Sequence, residues 1–109
     1  MLGLAALAAG LVMGEAPALA ASAENGKVAF LKHGCWQCHG YQAQGGVGPK
    51  LAPDPIPFDT LSTFVRTTNR AMPPFREEIL SNEDLADIYA YLQSIPKGPD
   101  PKSIPLLSQ

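Results

Sequence analysis

The chain has 109 residues, with eight lysines and arginines against ten aspartates and glutamates, a formal net charge of −2 and a mean hydropathy of +0.01. The basic residues are scattered singly, which argues against nucleic acid as a partner and against strong electrostatic steering. The length predicts one small domain with a limited core.

Residues 1–20 are predicted to be a signal peptide. They contain no basic residue, and the apolar run 2–13 is too short to span a bilayer. The small-x-small pattern Ala18-Leu19-Ala20 suits signal peptidase. Because a basic start is missing, an uncleaved membrane anchor stays the alternative. Cleavage predicts a periplasmic protein with no stable membrane insertion, made of a domain at 21–96 and a proline-rich C-terminal tail at 97–109 without periodicity.

The next segment predicts a helix over residues 24–33, capped by Ser22 and ended by Gly34. Gly26 and Phe30 lie one turn apart on a common face of this helix. A glycine inside a helix costs close to ~1 kcal/mol. Gly26 therefore indicates either a weak point or a place where another helix crosses at close range.

The pentapeptide Cys35-Trp36-Gln37-Cys38-His39 is typical of a site for covalent attachment of a c-type haem. Two thiols three positions apart can each bond to one vinyl group on the same edge of a porphyrin. The histidine that follows can then ligate the iron. We therefore expect one covalently bound haem c per chain, held through Cys35 and Cys38, with His39 as an iron ligand.

Two other sites can use the same cysteines. A redox dithiol of the thioredoxin type needs a βαβ context, and nothing near residue 35 resembles a strand-rich unit. A zinc site needs four ligands, and here Cys35, Cys38, His33 and His39 would all have to come from one short stretch. Both alternatives are less favoured than haem. A structural disulfide would close too small a loop to stabilise much.

Residues 41–57 are rich in glycine and proline, which predicts an irregular loop packed around one side of the porphyrin. The spacing of Leu61, Phe64 and Val65 predicts one buried face of a helix over residues 61–68. Asp59 or Thr60 would be its N-cap.

Residues 71–75, Ala-Met-Pro-Pro-Phe, cannot be helical and predict an extended strap. Met72 is the only methionine after residue 20, and Pro73 restricts its backbone to extended geometry. We expect Met72 to be the second axial ligand of the iron, the alternative being a core-filling methionine. His33 is the competing base and is predicted to be a surface histidine. Iron held by His39 and Met72 is an electron-transfer centre with a raised potential.

Residues 81–95 form the clearest predicted helix. Ser81 and Asp84 have the spacing of a capping box, and Pro96 ends the segment. An apolar stripe at helical spacing predicts its buried face. This stripe consists of Leu85, Ile88, Tyr89 and Leu92.

The ordered set of these features resembles the class I cytochrome c family across nearly the whole chain after residue 20. The resemblance implies an all-α fold, with three main helices and a loop-rich middle around one covalently bound haem. It further implies that the first helix crosses the last near Tyr89, with Phe30 packed into the crossing. The Pro49 carbonyl would accept a hydrogen bond from the His39 ring and would so contribute to the haem site. The resemblance is carried by Gly26, Phe30, Cys35-Trp36-Gln37-Cys38-His39, Gly48-Pro49, Met72-Pro73, Leu85 and Tyr89.

Within that family, residues 72–96 resemble the small bacterial cytochromes of periplasmic dehydrogenases, including the cytochrome subunits of flavin-dependent, phenol-oxidising enzymes of the para-cresol methylhydroxylase type. This implies an electron carrier with no substrate of its own. Its partners would be a flavin- or quinone-dependent dehydrogenase and a downstream cytochrome or oxidase. The alternative is a haem enzyme or gas sensor with an open sixth position, against which Met72 argues.

Overall fold

A computed structural model describes residues 20–108 and, before them, Gly3, Ala5 and Gly10. The predicted signal peptide lies almost wholly outside the described residues. The described chain contains four α-helices and no strand. They are α1 (Ala23–Lys32), α2 (Cys35–His39), α3 (Phe58–Thr67) and α4 (Asn82–Ser94). The all-α prediction and its three main helices are confirmed, and α2 is an additional short helix.

Helix α1 has the predicted N-cap but begins and ends one residue earlier than the predicted range 24–33. The Ser22 hydroxyl accepts a hydrogen bond from the Asn25 backbone N–H at 3.2 Å, so Ser22 is the N-cap. After the C-cap residue His33, Gly34 adopts a left-handed conformation with φ of 77°, which glycine reaches at little cost. This turn leads directly into α2.

Helix α1 packs against α4, and Gly26 lies where the two helices cross. A Cβ atom at Gly26 would collide with the carbonyl group of Asp87 and would lie 2.9 Å from the Ile88 nitrogen. Gly26 therefore permits the close helix crossing that its position predicts. The Asp87 carboxylate also accepts a hydrogen bond from the Ser22 backbone N–H at 2.7 Å, which ties the start of α1 to the middle of α4.

The aromatic residue that meets Phe30 is Tyr91, which corrects the assignment of Tyr89 to the buried face. Phe30 is fully buried, and its ring centroid lies 5.6 Å from that of Tyr91. Tyr89 is only half-buried and packs against Phe58, with ring centroids 5.2 Å apart. The Tyr91 hydroxyl donates to the Tyr41 carbonyl at 3.0 Å. Tyr91 therefore links α4 to the chain that follows α2.

Helix α3 begins earlier than its sequence predicts, because Pro57 stands at the N-cap position and no side chain caps the helix. Asp59 lies inside the first turn, where its charge favours the positive end of the helix. The predicted face is only partly buried. Leu61 is buried and Val65 half-buried, but Phe64 is 46% exposed.

Helix α4 begins at the predicted cap, since the Ser81 hydroxyl accepts from the Asp84 backbone N–H at 3.0 Å. The segments 40–57 and 68–81 contain no regular helix, and both flank the site described below. The proline-rich tail forms two short 3₁₀ turns, Pro101–Ser103 and Pro105–Leu107. None of the helices in the described part of the chain has the length and hydrophobicity to cross a membrane.

Candidate haem-binding site

The Cys-x-x-Cys-His motif forms its own five-residue helix, α2. Local sequence rules do not predict this short helix, because Gly34 precedes it and Gly40 follows it. Cys35 and Cys38 are both free thiols, half-buried and exposed respectively. Residues three apart are neighbours on a helix surface. The helix therefore presents both thiols, one turn apart, to whatever binds beside it.

The His39 ring is buried, and its Nδ1 atom lies 2.8 Å from the Pro49 carbonyl oxygen. A carbonyl oxygen can only accept a hydrogen bond, so Nδ1 carries the proton and donates it. In a neutral ring the other nitrogen, Nε2, then keeps a free lone pair. A histidine held in this way is oriented as a metal ligand.

The loop after α2 folds tightly over the His39 ring. The Gly48 backbone N–H donates to the Cys38 carbonyl, and that of Gly45 donates to the His39 carbonyl, both at 2.8 Å. A Cβ atom at Gly48 would lie 2.8 Å from Cε1 and 2.9 Å from Nδ1 of His39. Only a glycine fits there without displacing the ring, so the Gly48-Pro49 pair both supports and orients His39.

The pKa of the Cys35 thiol argues against the redox-dithiol alternative. Partial burial raises the pKa of the Cys35 thiol above its ordinary value, outweighing a backbone hydrogen bond that lowers it. A nucleophilic cysteine of the thioredoxin type needs a lowered pKa. The zinc alternative needs several ligands close together. Among the described residues, no group of three or more histidine, cysteine, aspartate or glutamate side chains is placed to hold a metal ion.

Met72 is half-buried in the strap, residues 71–75, which lies between α3 and α4. The Thr68 hydroxyl donates to the Met72 carbonyl at 3.4 Å, and the Phe75 backbone N–H donates to the Val65 carbonyl at 2.9 Å. The strap is therefore attached to the C-terminal end of α3 at Met72 itself and at Phe75.

Arg66 is the residue of this region that sequence analysis missed. Its guanidinium donates to the carbonyl oxygens of Phe75 and Leu80, at 3.0 and 2.6 Å, and to the Asn82 side-chain oxygen at 2.8 Å. An arginine in the last turn of a helix is common on protein surfaces. Nothing in the sequence around Arg66 distinguishes it from such a surface residue.

His33 differs from its prediction as a surface histidine. It is half-buried, its ring meets the edge of Phe75 at 6.2 Å between centroids, and its Nε2 atom is buried without a hydrogen-bond partner among the described residues. The contact with Phe75 of the strap accounts for this burial.

The residues of α2 and its loop fit a covalently bound haem. Two free thiols stand one turn apart, and the neighbouring histidine is buried, oriented and left with one free nitrogen. The family model that describes cytochrome c oxidase, cbb3-type, subunit III matches residues 21–92, more than half of the chain. The chain belongs to this cytochrome c family. It is therefore an electron-transfer protein that carries covalently bound haem c, and Cys35 and Cys38 fit the attachment motif.

A curated relative agrees with this assignment. The cytochrome c subunit of 4-cresol dehydrogenase [hydroxylating] from Pseudomonas putida is 36% identical over 62 residues, which cover 57% of this chain and 53% of that protein. The chain thus matches about half the length of the relative. No solved structure matches the chain.

Proposed function

We propose that Cys35 and Cys38 form the two thioether bonds to the haem and that His39 Nε2 and the Met72 sulfur are the axial ligands of its iron. When bound, the haem supplies the one-electron ferric–ferrous couple. The hydrogen bond from His39 Nδ1 to the Pro49 carbonyl carries this proposal, because it fixes the tautomer in which Nε2 can bind a metal.

Met72 is the second ligand in this proposal because it is the only methionine within residues 20–108. Pro73 restricts its backbone, and the hydrogen bonds from Thr68 and Phe75 hold the strap against α3. A thioether ligand raises the potential of haem iron. A residue held in advance needs little rearrangement when the iron changes its charge, which suits electron transfer.

An optical spectrum tests the ligand set. Ferric wild-type protein should show the weak red absorption band of methionine-ligated haem c, and Met72→Ala should abolish it. His33→Ala is the matched control and should keep the band, because His33 is no ligand in this proposal. After denaturation, mass spectrometry should still find one haem attached.

Three results would contradict the ligand set. A wild-type spectrum without the band would favour the alternative of a haem enzyme or gas sensor with an open sixth position. A wild-type spectrum without the band that is unchanged by Met72→Ala but altered by His33→Ala would make His33 the second ligand in place of Met72. Loss of the haem on acid–acetone extraction would exclude the thioether bonds to Cys35 and Cys38.

We further propose that the protein is exported to the periplasm, accepts electrons from a flavin- or quinone-dependent dehydrogenase and passes them to a downstream cytochrome or oxidase. The named relative supports a dehydrogenase partner. The surface beside α2 supports docking by apolar contact. Val47 is 95% exposed, and the Trp36 and Tyr41 rings stack at 4.5 Å between centroids.

Co-purification from the periplasm of the native host tests this partner, and a flavin or quinone dehydrogenase should accompany the chain. Electron transfer from that enzyme should change only modestly with ionic strength, because the proposed contact is apolar. A rate that falls about tenfold with moderate salt would mean that charged residues dock instead. A pull-down without any dehydrogenase would contradict the proposed partner.

A further inference from the structure

The Arg66 side chain on α3 forms hydrogen bonds to several points of the segment between α3 and α4. The Arg66 Nη1 atom donates to the Phe75 carbonyl at 3.0 Å and to the Leu80 carbonyl at 2.6 Å, and Nη2 donates to Asn82 Oδ1 at 2.8 Å. The Asn82 amide in turn donates to the Glu77 carboxylate at 2.7 Å. Arg66 therefore joins the end of the strap to the start of α4.

We propose that Arg66 is a positioning residue for Met72: by fixing the chain from Phe75 to Asn82 against α3, it holds the strap where the Met72 sulfur can reach the iron. This inference rests on the proposed ligation by Met72. Arg66 acts through the backbone of the strap. None of its three hydrogen bonds is to Met72 or to a residue of the Cys-x-x-Cys-His motif.

The chemistry of Arg66 suits this role better than that of an ion-pair partner. Within residues 20–108, the ion pair is that of Lys97 with Asp54, at 3.2 Å, and Arg66 forms none. Its three acceptors are two backbone carbonyls and one amide oxygen. A guanidinium presents its N–H groups in a planar fork that can serve several fixed acceptors at once. Lysine has the same charge, but its compact ammonium group cannot span the same three positions.

The strap depends on the three hydrogen bonds of Arg66, called the clamp below, because Met72 contributes little to its own placement. A thioether sulfur is only a weak hydrogen-bond acceptor, and the bond from Thr68 to the Met72 carbonyl is long, at 3.4 Å. Apart from the bond between Phe75 and Val65, Arg66 supplies the short hydrogen bonds to this segment from α3. Without the clamp, the sulfur should leave the iron in a larger fraction of molecules.

An added ligand that competes with Met72 measures this fraction, because its apparent affinity rises in proportion to the open form. We would titrate ferric holoprotein with imidazole, well below the unfolding midpoint. Arg66→Lys should raise the apparent imidazole affinity about tenfold and weaken the red band. Arg76→Lys makes the same change at an exposed position and should alter neither. Ile88→Val, which removes a methyl group from the buried α1–α4 contact, controls for general destabilisation and should leave the affinity unchanged.

The outcomes separate this inference from the ligation itself. A wild-type protein without the band would overturn both. If the wild-type protein shows the band but Arg66→Lys leaves the imidazole affinity unchanged, the inference alone is overturned. The same holds if Ile88→Val raises the imidazole affinity as much as Arg66→Lys does. If Arg66→Lys gives no folded holoprotein, Asn82→Ala replaces it, since that change keeps both carbonyl acceptors of Nη1 and removes the Nη2 acceptor, together with the bond from Asn82 to Glu77. It should raise the affinity about threefold, and no rise would overturn the inference.

Discussion

The two proposed iron ligands are held in different ways. His39 lies on helix α2, and its own ring donates the 2.8 Å hydrogen bond to Pro49, while the loop passes so close at Gly48 that a Cβ atom there would overlap the ring. Met72 lies in a segment without helix, and the bonds that restrain it belong to the backbone around it. On the histidine side the bond is made by the ligand's own ring, and on the methionine side the bonds are made only by the backbone of Met72 and its neighbours.

This difference follows from the chemistry of the two side chains. Imidazole has a second nitrogen that can be anchored while the first binds a metal. A thioether has one sulfur and no donor, so the protein can position it only by positioning the chain. We therefore expect the methionine bond to be the more labile of the two and the more sensitive to residues remote from the iron.

The largest loss of stability is expected on the histidine side, from Gly48→Ala. This change puts a methyl group within 2.9 Å of the His39 ring. The ring or the loop must shift, and overpacking of this kind costs about 1–3 kcal/mol. The midpoint of denaturant unfolding of the holoprotein should fall accordingly. The NMR signal of the His39 Nδ1 proton should also shift, because in this variant the displaced ring strains the hydrogen bond to Pro49.

Gly98→Ala is the matched control, because a Cβ atom at Gly98 meets nothing within 4 Å. Surface changes of this kind usually stay within about 0.5 kcal/mol. An unfolding midpoint of Gly48→Ala equal to that of Gly98→Ala would show that the His39 ring is not confined by the loop. The contrast between the two ligand sides would then lose its main support.

The parts of the fold that sequence predicts are those governed by local rules. Ser22 and Ser81 cap their helices as expected, because capping depends on a serine and the backbone N–H three residues later. Gly26 marks the helix crossing because no larger residue fits there. The His39–Pro49 bond follows from the family pattern, although the pattern does not give its length.

The positions at which the structure differs from the sequence prediction are set by tertiary packing. Tyr89 and Tyr91 are two positions apart, and helical periodicity alone favours Tyr89, yet Tyr91 is buried because it meets both Phe30 and the Tyr41 carbonyl. Arg66 carries no local signal, since its acceptors lie 9, 14 and 16 residues farther along the chain. His33 is half-buried for a related reason, the approach of Phe75.

The smallest effect is expected from Thr68→Val on the methionine side. Valine has nearly the shape of threonine, so the change removes the hydroxyl and leaves the buried position filled. The hydroxyl donates to the Met72 carbonyl and accepts from the Arg70 N–H, both at 3.4 Å, so the two bonds are weak. We expect a loss of about 0.5–1.5 kcal/mol in unfolding free energy, and a rise in imidazole affinity smaller than that of Arg66→Lys.

Thr67→Val is the control for this prediction, since Thr67 is exposed and its hydroxyl bonds within α3, to the Thr63 carbonyl. It should not change the imidazole affinity, because it does not touch the strap. A Thr68→Val variant that binds imidazole as tightly as Arg66→Lys would mean that the direct bond to Met72 matters as much as the clamp beyond it. The methionine side would then be fixed beside the ligand, as the histidine side is, and the distinction between direct and remote restraint would be wrong.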